Sequence, residues 1–83
     1  MSKPKPITYV AHFTLPKPRT VETDSIRPIT HAWRIWWRDF FGAHVEHGFS
    51  PSAEKARLRI KAWSANHKNV KSEIVETERK VQP

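Results

Sequence analysis

The chain of 83 residues contains no cysteine, so neither a disulfide framework nor a cysteine-ligated metal can stabilise it. It also lacks any apolar run close to the roughly 20 residues of a membrane-spanning helix. Its polar, proline-rich start does not resemble a secretory signal. We therefore expect a cytoplasmic protein that does not insert into membranes. A chain of this length favours one small domain with one modest core.

Signatures of enzymes and metal sites are missing as well. We find no glycine-rich phosphate loop and no Gly-x-Ser-x-Gly nucleophile turn. His44 and His47 are three residues apart, a spacing that places them on opposite faces of a strand. His12, His31 and His67 show no ligand spacing. We predict that the protein is not an enzyme and requires neither a metal nor another cofactor.

Positive charge is what the chain has in excess. Fifteen lysines and arginines against eight acidic residues give a formal net charge of +7. Such a balance favours polyanionic partners, namely nucleic acid, an acidic protein surface or an anionic membrane. We expect DNA or another nucleic acid first, an acidic protein surface as the alternative, and no membrane.

The most informative segment is His31–Asp39, in which tryptophans alternate with arginines. In a strand, successive side chains point to opposite faces. One face would form the core with His31, Trp33, Ile35 and Trp37. The other face would present Arg34, Trp36 and Arg38. Arginine can bind phosphates or guanine edges and tryptophan can pack on a base or sugar, so we predict a nucleic-acid-binding surface there. The alternative is that another part of the chain covers Trp36.

Apolar periodicity predicts the order of the elements. The segments Ile7–Leu15, Ile29–Arg38 and His44–Phe49 alternate as strands do, with a hairpin loop of three to five residues between the last two. Residues 16–28 show no periodicity and predict a long loop, either an arm or a plain connector. Ser50 and Pro51 predict a helix start. Val70–Val81 favours a last strand, with a helical turn as the alternative.

The predicted fold is therefore a small α+β domain of order β-β-β-α-β, with one helix packed on one face of an antiparallel sheet. It would span residues 7–81, between a flexible tail at 1–6 and a short tail at 82–83. The helix would bury an apolar stripe against the sheet. Its members are Ala53, Ala56, Ile60 and Trp63.

Two further groups of residues are candidates for binding. The predicted helix carries Lys55, Arg57, Arg59 and Lys61, which could neutralise phosphates or simply face solvent. Leu58 lies on the side opposite the apolar stripe. The predicted hairpin tip carries Phe40 and Phe41, which would anchor in a protein pocket or wedge between bases unless both fold back over the sheet.

Residues 29–63 resemble two families of DNA-binding domain, the arm-type domains of phage integrases and those of plant ethylene-response factors. Both run three antiparallel strands into a helix through a short joint that Gly48, Phe49, Ser52 and Ala56 match. The resemblance implies that the exposed sheet face reads DNA, with the roles falling on Arg34, Trp36 and Arg38. The order of elements is also common among small phage proteins. The added first strand and the segment after the helix depart from both families, and Glu46 is expected on the outer face beside the arginines.

Two functions follow as hypotheses. The first is a small DNA-binding protein of phage or mobile-element type, which docks its sheet face and basic helix on DNA. The second is a phage-type inhibitor of a host defence or host enzyme complex, similar in kind to anti-CRISPR proteins. It would use Phe40, Phe41, Trp36 and Leu58 as contacts, with the basic helix on an acidic surface. Either protein would be a monomer or a homodimer.

Overall fold

The computed structural model describes residues 5–80, which form six strands and one helix. In chain order these are β1 Ile7–Phe13, β2 Arg19–Ser25, β3 His31–Asp39, β4 Gly42–Ser50, α1 Ala53–Asn66, β5 Lys71–Glu76 and β6 Glu78–Arg79. The strands make two antiparallel sheets, a central sheet of order β4-β3-β5 and a second sheet of order β2-β1-β6. The α+β fold class with a single helix is thereby confirmed. Of the predicted tails at 1–6 and 82–83, only Lys5 and Pro6 fall within the described residues, and both are exposed.

The prediction of a long loop at residues 16–28 is wrong, because β2 occupies residues 19–25. This strand pairs along its whole length with β1, from Ile7 opposite Ser25 to Phe13 opposite Arg19. Only Val21 of the strand is buried. A single buried apolar residue produces no alternation, so the sequence carried no strand signal there.

The first core lies between the central sheet and α1. Of the predicted core side chains of β3, Trp33 (7% exposed), Ile35 (0%) and Trp37 (9%) are buried there, whereas His31 is only half-buried. Ala56 of the helix is fully buried against them, and the helical residues Ile60 and Trp63 pack at the margin. The predicted apolar stripe of the helix is thereby confirmed for Ala56, Ile60 and Trp63, but Ala53 is not part of this core. Gly48 is needed for this packing, because a side chain at that position would overlap the indole ring of Trp33.

A second core lies on the other face of the central sheet, which the sequence predicted to be exposed. Ala32 of β3 is fully buried there, beside Phe49 of β4 and Val75 of β5. The residues that cover them come from the second sheet and are Ala11, Phe13 and Val21. The second sheet thus packs on one end of the central sheet and leaves the hairpin end open.

The helix begins later than predicted. Ser52 is the N-cap, and its side chain accepts a hydrogen bond from the backbone N of Lys55 at 3.2 Å. Ser50 instead ends β4, is buried, and accepts from the backbone N of Thr30 at 3.2 Å. The cap is therefore two residues later than the sequence indicated. The predicted end is confirmed, since α1 stops at Asn66 and Asn69 has a positive φ of 59°.

The segment after the helix is extended, as favoured over the helical alternative. β5 pairs with β3, and β6 then crosses to pair with β1 of the second sheet. Thr77, between them, donates from its backbone N to the carbonyl of Thr30 at 2.9 Å. Its hydroxyl donates to the carbonyl of Ile29 at 3.0 Å. The C-terminal part of the described chain therefore ties the two sheets together.

Candidate functional site

The hairpin tip, Phe40–Phe41, is a two-residue turn rather than the predicted loop of three to five residues. Asp39 and Gly42 pair directly across it, and Gly42 has a φ of 122°. Asp39 Oδ1 accepts hydrogen bonds from the Phe41 backbone N at 2.8 Å and from His44 Nε2 at 2.9 Å. The hydrogen bond from His44 is the main cause that holds the pKa of the Asp39 carboxyl below its ordinary value of 3.8.

Both phenylalanines of the hairpin tip project into solvent. Phe40 is 97% exposed and Phe41 86%, and their rings meet edge to face at 5.7 Å. The alternative that they fold back over the sheet end is therefore excluded. Large apolar side chains at this degree of exposure are a candidate contact for a partner.

Arg34 does not project from the sheet as predicted, because it is buried at 5% exposure. Its Nη1 donates to the backbone carbonyls of Leu15 at 2.9 Å and Lys17 at 2.7 Å. Its guanidinium lies over the ring of Phe13, 5.7 Å from the centroid. The β1–β2 connection thus covers this arginine and accepts two hydrogen bonds from its Nη1, so the buried Arg34 is not available to read DNA.

Glu73 of β5 holds the same connection from the other side. It lies opposite Arg34 in the sheet and accepts from Thr14 N at 2.9 Å, Thr14 Oγ1 at 2.5 Å and Leu15 N at 3.2 Å. Burial opposes its ionisation, but these hydrogen bonds and the charge of Arg34 lower the pKa of Glu73 below its ordinary value of 4.5. We call Arg34 and Glu73, with the connection they hold, the clamp. The role of Glu73 was not predicted, because it depends on the strand register, which the sequence does not reveal.

The rest of that sheet face forms a groove beside the hairpin tip. Trp36 is half-buried in it, opposite Val45 of β4 and Lys71 of β5, and Pro16 and Lys17 of the β1–β2 connection form its wall. The alternative that another segment covers Trp36 is therefore true in part. Arg38 also borders the groove and is exposed, as predicted. Of the three residues predicted to form the binding face, only Arg38 is fully open to solvent.

The outer side of α1 is the second candidate surface. All four predicted cations on it are exposed, and Leu58 is 55% exposed. Its residues are Lys55, Arg57, Leu58, Arg59 and Lys61. None of the ion pairs found within residues 5–80 involves these cations. Their charge is therefore not neutralised by a carboxylate of the described chain.

The two candidate surfaces lie on opposite faces of the central sheet. α1 packs on the face that carries Trp33 and Ile35, whereas Trp36 belongs to the other face. A rigid protein therefore cannot lay both surfaces flat on one stretch of duplex, contrary to the expectation from the sequence. The prediction that Glu46 lies beside the arginines is wrong, because Glu46 pairs with Ile35 on the helix side of the sheet.

An aromatic cluster connects the hairpin to the end of α1. The ring of Trp37 lies 5.1 Å from His44, 4.4 Å from His67 and 5.5 Å from Trp63. His44 and His47 point to opposite faces, as their spacing predicted. Within residues 5–80 no group of three or more histidine or acidic side chains is placed to hold a metal ion. We therefore assign this cluster to packing.

Comparisons of the chain with protein-family models, with curated proteins and with solved structures gave no match. The resemblance to integrase and ethylene-response-factor domains accordingly stays a prediction. The part of the chain that the structure describes has no helix long and apolar enough to cross a membrane.

Proposed function

We propose that this protein binds nucleic acid in the cytoplasm, and that the outer side of α1 contacts the phosphate backbone. The observation that carries the proposal is the exposure of four cations on one helix that make no ion pair with any residue between 5 and 80, with Glu54 as the nearby acid. Phosphate contacts from lysine and arginine supply most of the affinity of sequence-independent binding. The net charge of +7 adds long-range attraction.

The spacing of the cations fits a backbone contact. Lys55 and Arg59 are one helical turn apart on one flank, and Arg57 and Lys61 are one turn apart on the other. Leu58 lies between the flanks and is exposed. Such a helix can contact phosphates on both of its flanks without contacting base edges, so we propose binding with little sequence preference.

The sheet-face mode of binding is not part of this proposal. The clamp buries Arg34 and binds its Nη1 to backbone carbonyls, and α1 lies on the opposite face of the sheet. Arg38 and Trp36 are left for contacts at the groove, outside the backbone-binding surface.

The test is fluorescence anisotropy of a labelled duplex at about 50 and 200 mM salt, with a single strand for comparison. Four phosphate contacts predict a slope of log Kobs against log salt of about −3.6. The double variants Lys55→Gln/Arg59→Gln and Arg57→Gln/Lys61→Gln should each reduce that slope by about 2.

The matched control is Arg19→Gln/Arg27→Gln, which removes the same charge from exposed residues of the second sheet region. It should leave the salt slope nearly unchanged. If the wild type does not bind at the lower salt, or if the control weakens binding as much as the helix variants, the proposal fails.

A second function is favoured by a separate observation, the exposure of Phe40 and Phe41 at 97% and 86%. We propose as the alternative a phage-type inhibitor that inserts the hairpin tip into a pocket of a host protein, with an acidic surface near the basic helix. Phe40→Ala/Phe41→Ala should then abolish inhibition in cells while duplex binding is unchanged. Loss of duplex binding in this variant would speak against the alternative.

A further inference from the structure

β4, Gly42–Ser50, forms one edge of the central sheet, and the shorter β5, which contains Lys71, forms the other. Within residues 5–80, β4 pairs only with β3. Natural proteins usually protect such an edge with lysine, proline or a short strand. β4 has nine residues and contains neither lysine nor proline. Its edge is therefore a template for another strand.

The hairpin geometry determines which backbone groups are free at this edge. Because Asp39 and Gly42 close a two-residue turn, they form a hydrogen-bonded pair. Even-numbered residues of β4 therefore turn their N–H and C=O groups toward β3. The hydrogen bond from Thr30 N to the carbonyl of Ser50 follows the same alternation. The odd-numbered residues from Ala43 to Phe49 turn theirs toward the open edge.

We propose that the partner at this edge is a second copy of this chain, paired antiparallel with β4 about a twofold axis at Val45. Val45 would then face its own copy, and both would exchange backbone hydrogen bonds. His44 would lie opposite Glu46 of the partner subunit, and the symmetry repeats this pair. The result is a continuous six-stranded sheet across the two copies.

The side chains select this register among the nearby ones. A twofold axis at His44, Glu46 or His47 would place two identical polar or charged groups opposite each other. The axis at Val45 instead brings together two half-exposed valines, each 44% exposed, and two pairs of a histidine with a carboxylate. Cross-strand apolar pairs stabilise a sheet, and like charges directly opposite destabilise it.

The first measurement is the mass in solution by sedimentation equilibrium, from micromolar to millimolar protein and without nucleic acid. The wild type and the matched control Val45→Thr should reach the mass of two chains. Val45→Lys should raise the dimer dissociation constant about tenfold or more, because two lysines would meet at the axis. A wild type that keeps the mass of one chain, or a Val45→Lys variant that stays dimeric, overturns the proposal.

The second measurement tests the register and decides the matter if Val45→Lys fails to fold. Opposed residues of a hydrogen-bonded antiparallel pair have Cα atoms about 5.5 Å apart, within the range of a disulfide. Val45→Cys should therefore form a covalent dimer on oxidation, in a chain with no other cysteine. Ile26→Cys, at an exposed residue beyond β2, is the control and should stay monomeric. Absence of the Val45→Cys cross-link overturns the proposal.

Discussion

Arg34 and Arg38 lie on the same strand and the same face, yet they have opposite environments. Arg34 is buried because the β1–β2 connection crosses over it and supplies two carbonyl acceptors. Arg38 lies four residues further along β3, where the connection no longer covers the sheet, and is exposed. The position of one connection therefore decides which arginine stabilises the fold and which can meet a partner.

Arg34→Ala should lower the free energy of unfolding by about 1–3 kcal/mol, because the carbonyls of Leu15 and Lys17 lose their donor in a covered site. Arg38→Ala, the control, should change it by less than about 0.5 kcal/mol. Urea denaturation followed by circular dichroism measures both. Equal effects of the two variants would contradict the clamp.

At the scale of elements, α1 and the second sheet both pack against the central sheet. α1 covers one face, and the second sheet covers one end of the other. What is left on the second face is the groove with Trp36, and beyond it the hairpin tip. The candidate surfaces are thus the parts of the sheet and helix that neither core requires.

Ser52→Ala should destabilise the protein by about 0.5–2 kcal/mol, because the N-cap hydrogen bond to Lys55 N would be lost. Ser64→Ala, in the exposed part of the same helix, is the control and should have little effect. Thermal unfolding of both variants checks the assignment of the cap. Ser50→Ala cannot test which serine is the N-cap, because Ser50 is itself buried and its replacement can lower stability for that reason. The test is therefore the comparison of Ser52→Ala with Ser64→Ala.

The parts of the fold that were predicted correctly are those set by the periodicity within a single strand or helix. The burial of Trp33, Ile35 and Trp37 follows from alternation along one strand, and the docking of Ala56 from the helical period. β2 was missed because its burial is limited to Val21, and its pairing depends on β1 rather than on its own composition.

The candidate site was predicted less well, for a physical reason. The exposure of Phe40 and Phe41 follows from a tight turn, which is local. The burial of Arg34 depends on Thr14–Pro18, about twenty residues earlier in the chain, and no periodicity reports such a contact. Once the register is known, Glu73 opposite Arg34 is the signal that identifies the clamp.

For the whole molecule, charge is unevenly distributed along a body of 51 × 23 × 19 Å. The second sheet mixes acids and bases, with an ion pair of 3.2 Å between Lys80 and Glu22. The outer side of α1 is basic without such pairs in the described chain. Attraction to a polyanion is therefore expected to orient the protein with the outer side of α1 toward the polyanion.

Stability should fall as the pH drops below about 4.5, because the pKa of Glu73 is lower in the folded than in the unfolded chain. The stability that Glu73 contributes is complete above its pKa in the unfolded chain and is lost as the pH falls through its lower pKa in the folded chain. Glu73→Gln should flatten this fall, whereas Glu76→Gln, an exposed residue of the same strand, should not. Melting temperatures between pH 3 and 7 measure it, and an unchanged profile in Glu73→Gln would count against the clamp.

The four tryptophans are divided between the two faces of the central sheet, so intrinsic tryptophan fluorescence can distinguish events on one face from events on the other. Trp33, Trp37 and Trp63 belong to the helix-side core, and the rings of the last two lie 5.5 Å apart beside two imidazoles. Their intrinsic fluorescence should report the loss of that core. The side chain of Trp36 lies on the opposite face, half-buried in the groove. A change in emission that disappears in Trp36→Phe would therefore locate a bound molecule at the groove, without any attached dye.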